Sequence, residues 1–159
     1  MEDRDFIARF IAFKDGPDDF DSSHDLDEFM NKKMSNLSLL DSAKLDEIEA
    51  NFVRSIATSI EIFSTDAFRK RYAPNDTRNR INKTLFETWT TAFSSESQES
   101  LNILTHRKEV LKSKFIELMS DKKFDRAISR TVGLPESVKY RHQKIAQIIK
   151  ETLQHDQEN

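Results

Sequence analysis

The chain has no cysteine. Disulfides, thiolate metal sites and cysteine nucleophiles are therefore excluded, and the absence fits the cytoplasm, the location expected here. Turn formers are nearly as scarce, with two glycines and three prolines in 159 residues. Such scarcity argues against a sheet-rich fold. Two glycines also cannot build the usual glycine-rich phosphate loop, which argues against a P-loop nucleotide hydrolase. No run approaches the roughly 18 consecutive apolar residues of a membrane-spanning helix, so no membrane partner is expected. No basic stretch followed by an apolar core marks a secretion signal. Tyrosine and tryptophan are rare, two and one against twelve phenylalanines, which favours core packing over recognition, since binding surfaces prefer Tyr and Trp.

What the chain does have is charge, unevenly placed. Residues 1 to 30 hold three Lys/Arg against ten Asp/Glu, whereas residues 69 to 83 hold six against one and residues 106 to 150 twelve against five. An acidic beginning and a basic centre can pair inside the fold or steer different partners.

It also has helical period. A helix over residues 3 to 14 places Phe6, Phe10 and Phe13 on one side with Ile7 and Ile11 beside them, and Gly16-Pro17 stops it. A second helix runs from Leu26 to Met34 behind an Asp25 cap. The clearest element covers residues 42 to 63, where Leu45, Ile48, Phe52, Ile56, Ile60 and Phe63 form a stripe widened by Val53 and Ala57. A fourth helix begins near Asn82 and carries Leu85, Phe86, Trp89 and Phe93. Ser95 and Gln98 form a capping box for a fifth, with Leu101, Leu104, Leu111, Phe115 and Leu118 along one side. Asp121 caps a sixth, and residues 137 to 153 form a seventh. No fixed-period repeat emerges. The expected fold is all-α, a compact irregular bundle of about six or seven helices in a single domain over residues 1 to 159.

The chemistry-bearing residues are sparse. His24, His106, His142 and His155 have no metal-binding spacing, and neither a metal nor a cofactor is expected. The acidic tract Asp18, Asp19, Asp21, Asp25, Asp27 and Glu28 lacks the glycine and glutamate register of a calcium loop and reads as a solvated loop. The basic segment Arg69, Lys70, Arg71, Tyr72, Arg78, Arg80 and Lys83 is the candidate for nucleic-acid contact, with cations for phosphates and Tyr72 for stacking. Its neutralisation by the acidic N-terminus is the competing reading. Trp89 is expected in the core. Arg141 shares a helix face with Val138 and Ile145, and is expected to pair architecturally with a carboxylate of the Asp3, Asp5 and Asp27 group, Asp5 being the partner chosen.

Five blocks carry a resemblance: DRDFIARFIAF (Asp3 to Phe13), LDEFMN (Leu26 to Asn31), DAFRK (Asp66 to Lys70), INKTLFETW (Ile81 to Trp89) and the spaced Thr131, Val138 and Arg141. In this order they resemble the helical C-terminal part of a bacterial family of unknown-function proteins with a ParB-like N-terminal domain. That domain occurs in the GmrS half of GmrSD-type modification-dependent restriction systems. The resemblance covers nearly all of the chain. It implies that nucleotide hydrolysis belongs to the ParB-like part, whose aspartate-glycine-glutamine-glutamine-arginine motif is absent here. It further implies a chain lacking that preceding domain, whether as remnant, fragment or split gene product. Phe6, Phe10 and Phe13 would then mark an unmasked interdomain face, open to self-association or to a protein partner.

The leading expectation is a non-enzymatic interaction module linked to defence against foreign DNA. The alternative is a nucleic-acid-contacting module using the loop over residues 69 to 83 and the basic helix faces after it. An enzyme would require a pocket in which His106 or His142 meets two carboxylates.

Overall fold

The helix spanning Lys83–Ser94, α4, is buried along nearly its whole circumference, because other helices pack on several of its sides. The computed structural model describes residues 2–155. Among them the helices are α1 (Glu2–Phe13), α2 (Leu26–Ser35), α3 (Ser42–Phe63), α4, α5 (Gln98–His106), α6 (Lys108–Met119), α7 (Lys122–Ala127) and α8 (Pro135–Gln154). The fold is all-α; among the described residues the only extended pairing is an isolated bridge between Arg69 and Ile81. Helices α1, α3 and α8 pack directly on α4, α2 lies on α1, and α5, α6 and α7 close against α8.

A helix can be buried all round only if its polar atoms find partners, in itself or in its neighbours. In α4 the threonines do so by back-bonding. Thr90 Oγ1 donates to the Phe86 carbonyl at 2.7 Å and Thr91 Oγ1 to the Glu87 carbonyl at 2.7 Å, while Thr88 donates to Thr84. The facing helix α3 uses the same device, with Ser55 bonded to the Phe52 carbonyl at 2.7 Å, Thr58 to Arg54 at 2.9 Å and Ser59 to Ser55 at 2.8 Å. Small hydroxyl side chains bonded in this way carry their own acceptors into the packed interior.

This contact rotates α3 away from the orientation its apolar stripe suggests. Ser55, Thr58, Ser59 and Ile62 face inward, while Val53 and Ile60 stand 58% and 54% exposed. The expected inward stripe holds in part: Ile48 and Phe63 are buried and Phe52 and Ile56 pack against the core, whereas Leu45, Val53, Ala57 and Ile60 face outward.

The expected fifth helix is two helices. The chain breaks at Arg107 (φ −99°, ψ 25°), whose guanidinium donates to the carbonyls of Thr152 and Leu153 at 3.1 and 2.8 Å. Those are end-of-helix carbonyls of α8, so the cation sits at the negative pole of that helix. The α5 cap is Ser97 rather than Ser95, its side chain accepting from the Ser100 amide at 3.1 Å.

The phenylalanines of α1 lie inside. Phe10 is 1% and Phe13 0% exposed; Phe6 is half-buried with its ring 4.7 Å from that of Phe86. Phe13 meets Phe29 at 5.4 Å and Phe20 at 6.0 Å. The acidic loop thus inserts Phe20 into the core, and Gly16 makes its first bend in the left-handed region (φ 99°) that favours glycine.

Between α3 and α4 the backbone is strained at two non-glycine residues, Ser64 (φ 53°) and Phe68 (φ 63°). Phe68 is held by its ring, 4.7 Å from that of Phe86, and by its carbonyl, which accepts from the Asn82 amide at 2.8 Å. Asn82 is the junction. Its Oδ1 caps α4 by accepting from Leu85 N at 2.8 Å, and its Nδ2 donates to the Ile128 carbonyl at 3.0 Å. Asn82→Ala is expected to lower the unfolding free energy by about 2 kcal/mol in urea titration, and Asn82→Ser, which keeps a capping oxygen, by about half of that.

Candidate functional site: a buried guanidinium, carboxylate and imidazole cluster

Glu87 is the one charged side chain between Thr84 and Ser95, and its carboxylate has no exposed surface. It lies on α4 between α1 and α8. From α8, Arg141 Nε and Nη2 donate to Oε1 at 3.1 and 2.8 Å, and His142 Nε2 lies 3.0 Å from the same oxygen. From α1, Arg9 Nη1 donates to Oε2 at 3.1 Å. Both oxygens are therefore occupied.

Arg141 is itself 0% exposed, and its remaining nitrogen is used: Nη1 donates to the Val132 carbonyl at 2.7 Å and to the Ala127 carbonyl at 3.2 Å. One guanidinium thus ties α8 to α4 and to the α7–α8 connection. The charge chain continues outward. Arg9 Nε stands 3.3 Å from Asp5 Oδ1, an ion pair without hydrogen-bond geometry, and Asp5 Oδ2 meets Lys83 Nζ at 2.8 Å. The expected buried arginine pair exists, but its carboxylate is Glu87. Asp5 is too far along the chain of charges to reach Arg141, because Arg9 and Glu87 stand between them.

Burial pushes the Glu87 carboxyl up, and Arg141, His142 and Arg9 outweigh that effect and hold it down at about 2, against an ordinary value of 4.5. A carboxylate so held cannot act as a free base at neutral pH. Its work is to neutralise two guanidinium groups that would otherwise be buried uncompensated.

His142 also reaches a cleft of about 440 Å³ lined by Phe13, Asp18, Thr91, Glu96 and Lys139. Two carboxylates therefore share a cleft with this histidine. The carboxylate bonded to the ring is nevertheless Glu87, and among the described residues no group of His, Asp or Glu has metal-binding geometry. His106 is exposed at the end of α5.

The basic segment turns largely inward. Arg69 donates to the Thr65 and Asn79 carbonyls at 3.0 and 2.5 Å, and Arg71 bonds Asp66 and the Pro74 carbonyl. Lys70 Nζ and the Tyr72 hydroxyl converge on Asp125 at 2.8 and 3.0 Å. Burial pushes the Asp125 carboxyl up, but Lys70 and Tyr72 outweigh it and the net shift is downward. Lys83 pairs with Asp5. Among the described residues, Arg78 and Arg80 alone of this set are exposed with no polar partner. A smaller cleft of about 250 Å³ lies beside Arg69 and Arg71, floored by Phe63, Phe115 and Ile116. The expected interface of Phe6, Phe10 and Phe13 is likewise corrected, since these rings pack within the chain's own core.

Arg9 and Glu87 escaped the sequence reading, and His142 entered it only as a residue that an enzyme would require. Glu87 left a signal: a single carboxylate in an otherwise uncharged, apolar-and-threonine helix. No protein-family model, curated protein or solved structure matches the chain.

The depressed Glu87 group makes an acid signature. The stability it contributes is fully present above about pH 4.5 and is lost as pH falls through about 2, a span worth about 3 kcal/mol. Unfolding free energies across this window should fall more steeply in the parent chain than in Glu87→Gln. That variant should already be weakened by about 3–5 kcal/mol at neutral pH. Parallel acid profiles for the two chains would assign the titration elsewhere.

Proposed function

We propose that this chain is a non-enzymatic helical module that works by holding a protein partner, in a system of defence against foreign DNA like that of the ParB-like family it resembles. The observation that carries the reading is the outward apolar face of α3. Leu45, Val53 and Ile60 are exposed on the longest helix, although the same helix buries hydroxyl side chains. Val53, Ala57 and Ile60 lie on one side of that helix at helical spacing, and exposed apolar surface gathered on one face supports a binding role. The buried polar cluster supports the non-enzymatic part of this reading, since both carboxylate oxygens of Glu87 serve to join helices.

Contact with nucleic acid is the second reading. It rests on Arg78 and Arg80, which are exposed and unpartnered, and is weakened by the inward bonding of Arg69, Lys70, Arg71, Tyr72 and Lys83.

Titration of a short labelled DNA duplex between about 50 and 200 mM salt separates the two. The interaction-module reading expects no saturable binding at the low end. Saturable binding that weakens with salt, with a logarithmic slope near −2 lost in Arg78→Glu/Arg80→Glu, would replace it with nucleic-acid contact.

A further inference from the structure

One nitrogen of His142 is used by the fold and the other is not. The side chain is only 10% exposed, and it lines the cleft of about 440 Å³. Its Nε2 is committed. Glu87 is ringed by guanidinium donors and holds no proton, so the 3.0 Å contact is an Nε2–H donating to Oε1. In the neutral ring this leaves a lone pair on Nδ1. The two ring nitrogens diverge, so Nδ1 points away from Glu87. Among the described residues Nδ1 has no hydrogen-bond partner, and it is not sealed off from the cleft. An acceptor so deeply placed and left unpaired calls for a donor.

The lip of the cleft calls for positive charge. Asp18 comes from the loop after α1 and Glu96 from the connection between α4 and α5. Among the described residues neither carboxylate has a hydrogen-bond or ion partner. Both are held in place through the backbone instead. The Glu96 carbonyl accepts from Arg54 Nη2 at 3.0 Å, and its amide donates to the Phe93 carbonyl at 3.1 Å. Asp18 lies between Gly16, whose amide donates to the Phe13 carbonyl at 2.9 Å, and Phe20, which is 0% exposed. The fold thus fixes both residues without consuming their charge. Lys139, the one lysine on the lining, is exposed and bonded to neither. Between floor and lip the wall is apolar, from Pro17, Ala92 and Ala146.

Among the described residues no three such side chains are placed to share one metal ion, so the floor and the lip recognise separate groups. A cation does not suit the floor, where two guanidinium groups already face the single carboxylate of Glu87. A neutral donor does. We infer that this cleft binds a small amino alcohol. Its hydroxyl donates to His142 Nδ1, its short alkyl stem lies along Pro17, Ala92 and Ala146, and its ammonium group sits at the lip with Asp18 and Glu96. The volume is that of a small-molecule site. Among the described residues none from α3 lines the cleft, so the site goes beyond the interaction-module reading and does not depend on it.

The probe is the straight-chain terminal aminobutanol, titrated into the whole chain labelled at its histidine nitrogens and followed by magnetic resonance. A ligand of this size is expected to bind saturably at about 1 mM. It should move the Nδ1 signal of His142 and leave His24, His106 and His155 in place. Butylamine lacks the hydroxyl and butanol lacks the ammonium, and each should bind at least about fivefold more weakly. Terminal hydroxybutyrate reverses the charge and should not bind. Asp18→Asn/Glu96→Gln should weaken aminobutanol at least about fivefold, with the circular dichroism and thermal midpoint unchanged, since neither carboxylate is bonded within the fold. A His142 Nδ1 signal that does not move saturably overturns the site. Equal affinity for butylamine, equal affinity in Asp18→Asn/Glu96→Gln, or saturable binding of hydroxybutyrate overturns the amino-alcohol assignment.

Discussion

A carboxylate shut away from water in the middle of a helix is tolerable only when cations surround it, and Glu87 is surrounded from two directions. Arg141 approaches from α8 and Arg9 from α1, and His142 completes the shell. The requirement runs both ways, since Arg141 has no exposed surface either. Once these charges are buried, the relative placement of α1, α4 and α8 is no longer free. A shift of any of the three leaves an unpaired charge in the core. Apolar contacts around the cluster supply stability but accept many arrangements; the ion cluster accepts one. Rings such as Phe13, 5.4 Å from the His142 imidazole, pack against it from the side.

The second organising contact is the seam between α3 and α4. Ser55 and Ser59 each return a hydroxyl bond to their own helix, so α3 needs no water at this face. The consequence appears on the far side of α3. A helix that gives its small polar residues to the interior leaves its apolar residues outside, and Val53 and Ile60 are exposed for that reason.

Much of the fold was legible in the sequence. Asp25 and Asp121 were identifiable as caps and Asn82 as a helix start, and each accepts the expected backbone hydrogen bond. Caps are local chemistry, so a single sequence carries them. Arg141 on an apolar face was recognisable as a buried arginine for the same kind of reason. Its partner was not, because pairing across 54 positions depends on how helices are arranged in space. The break at Arg107 and the burial of Phe20 in an acidic loop were also hidden, since both are set by tertiary contacts. The inward face of α3 was misread because serine and threonine score as polar, while their back-bonded hydroxyls make them good packing residues. The basic loop was left open between nucleic-acid contact and neutralisation by the acidic N-terminus; Lys83 does meet Asp5, while Lys70 and Arg71 meet Asp125 and Asp66 instead.

The cluster's role as fastener of α1, α4 and α8 is tested most directly by a double-mutant cycle on Glu87 and Arg141. Glu87→Leu, Arg141→Met and the double variant would be compared by urea unfolding at neutral pH. Each single change leaves a buried charge without its partner and should cost several kcal/mol, whereas the double change removes both charges. The expected result is a double variant at least about 2 kcal/mol more stable than the sum of the single losses implies. Losses that add to within about 0.5 kcal/mol would show that the two residues act independently, and would contradict the role assigned to the cluster.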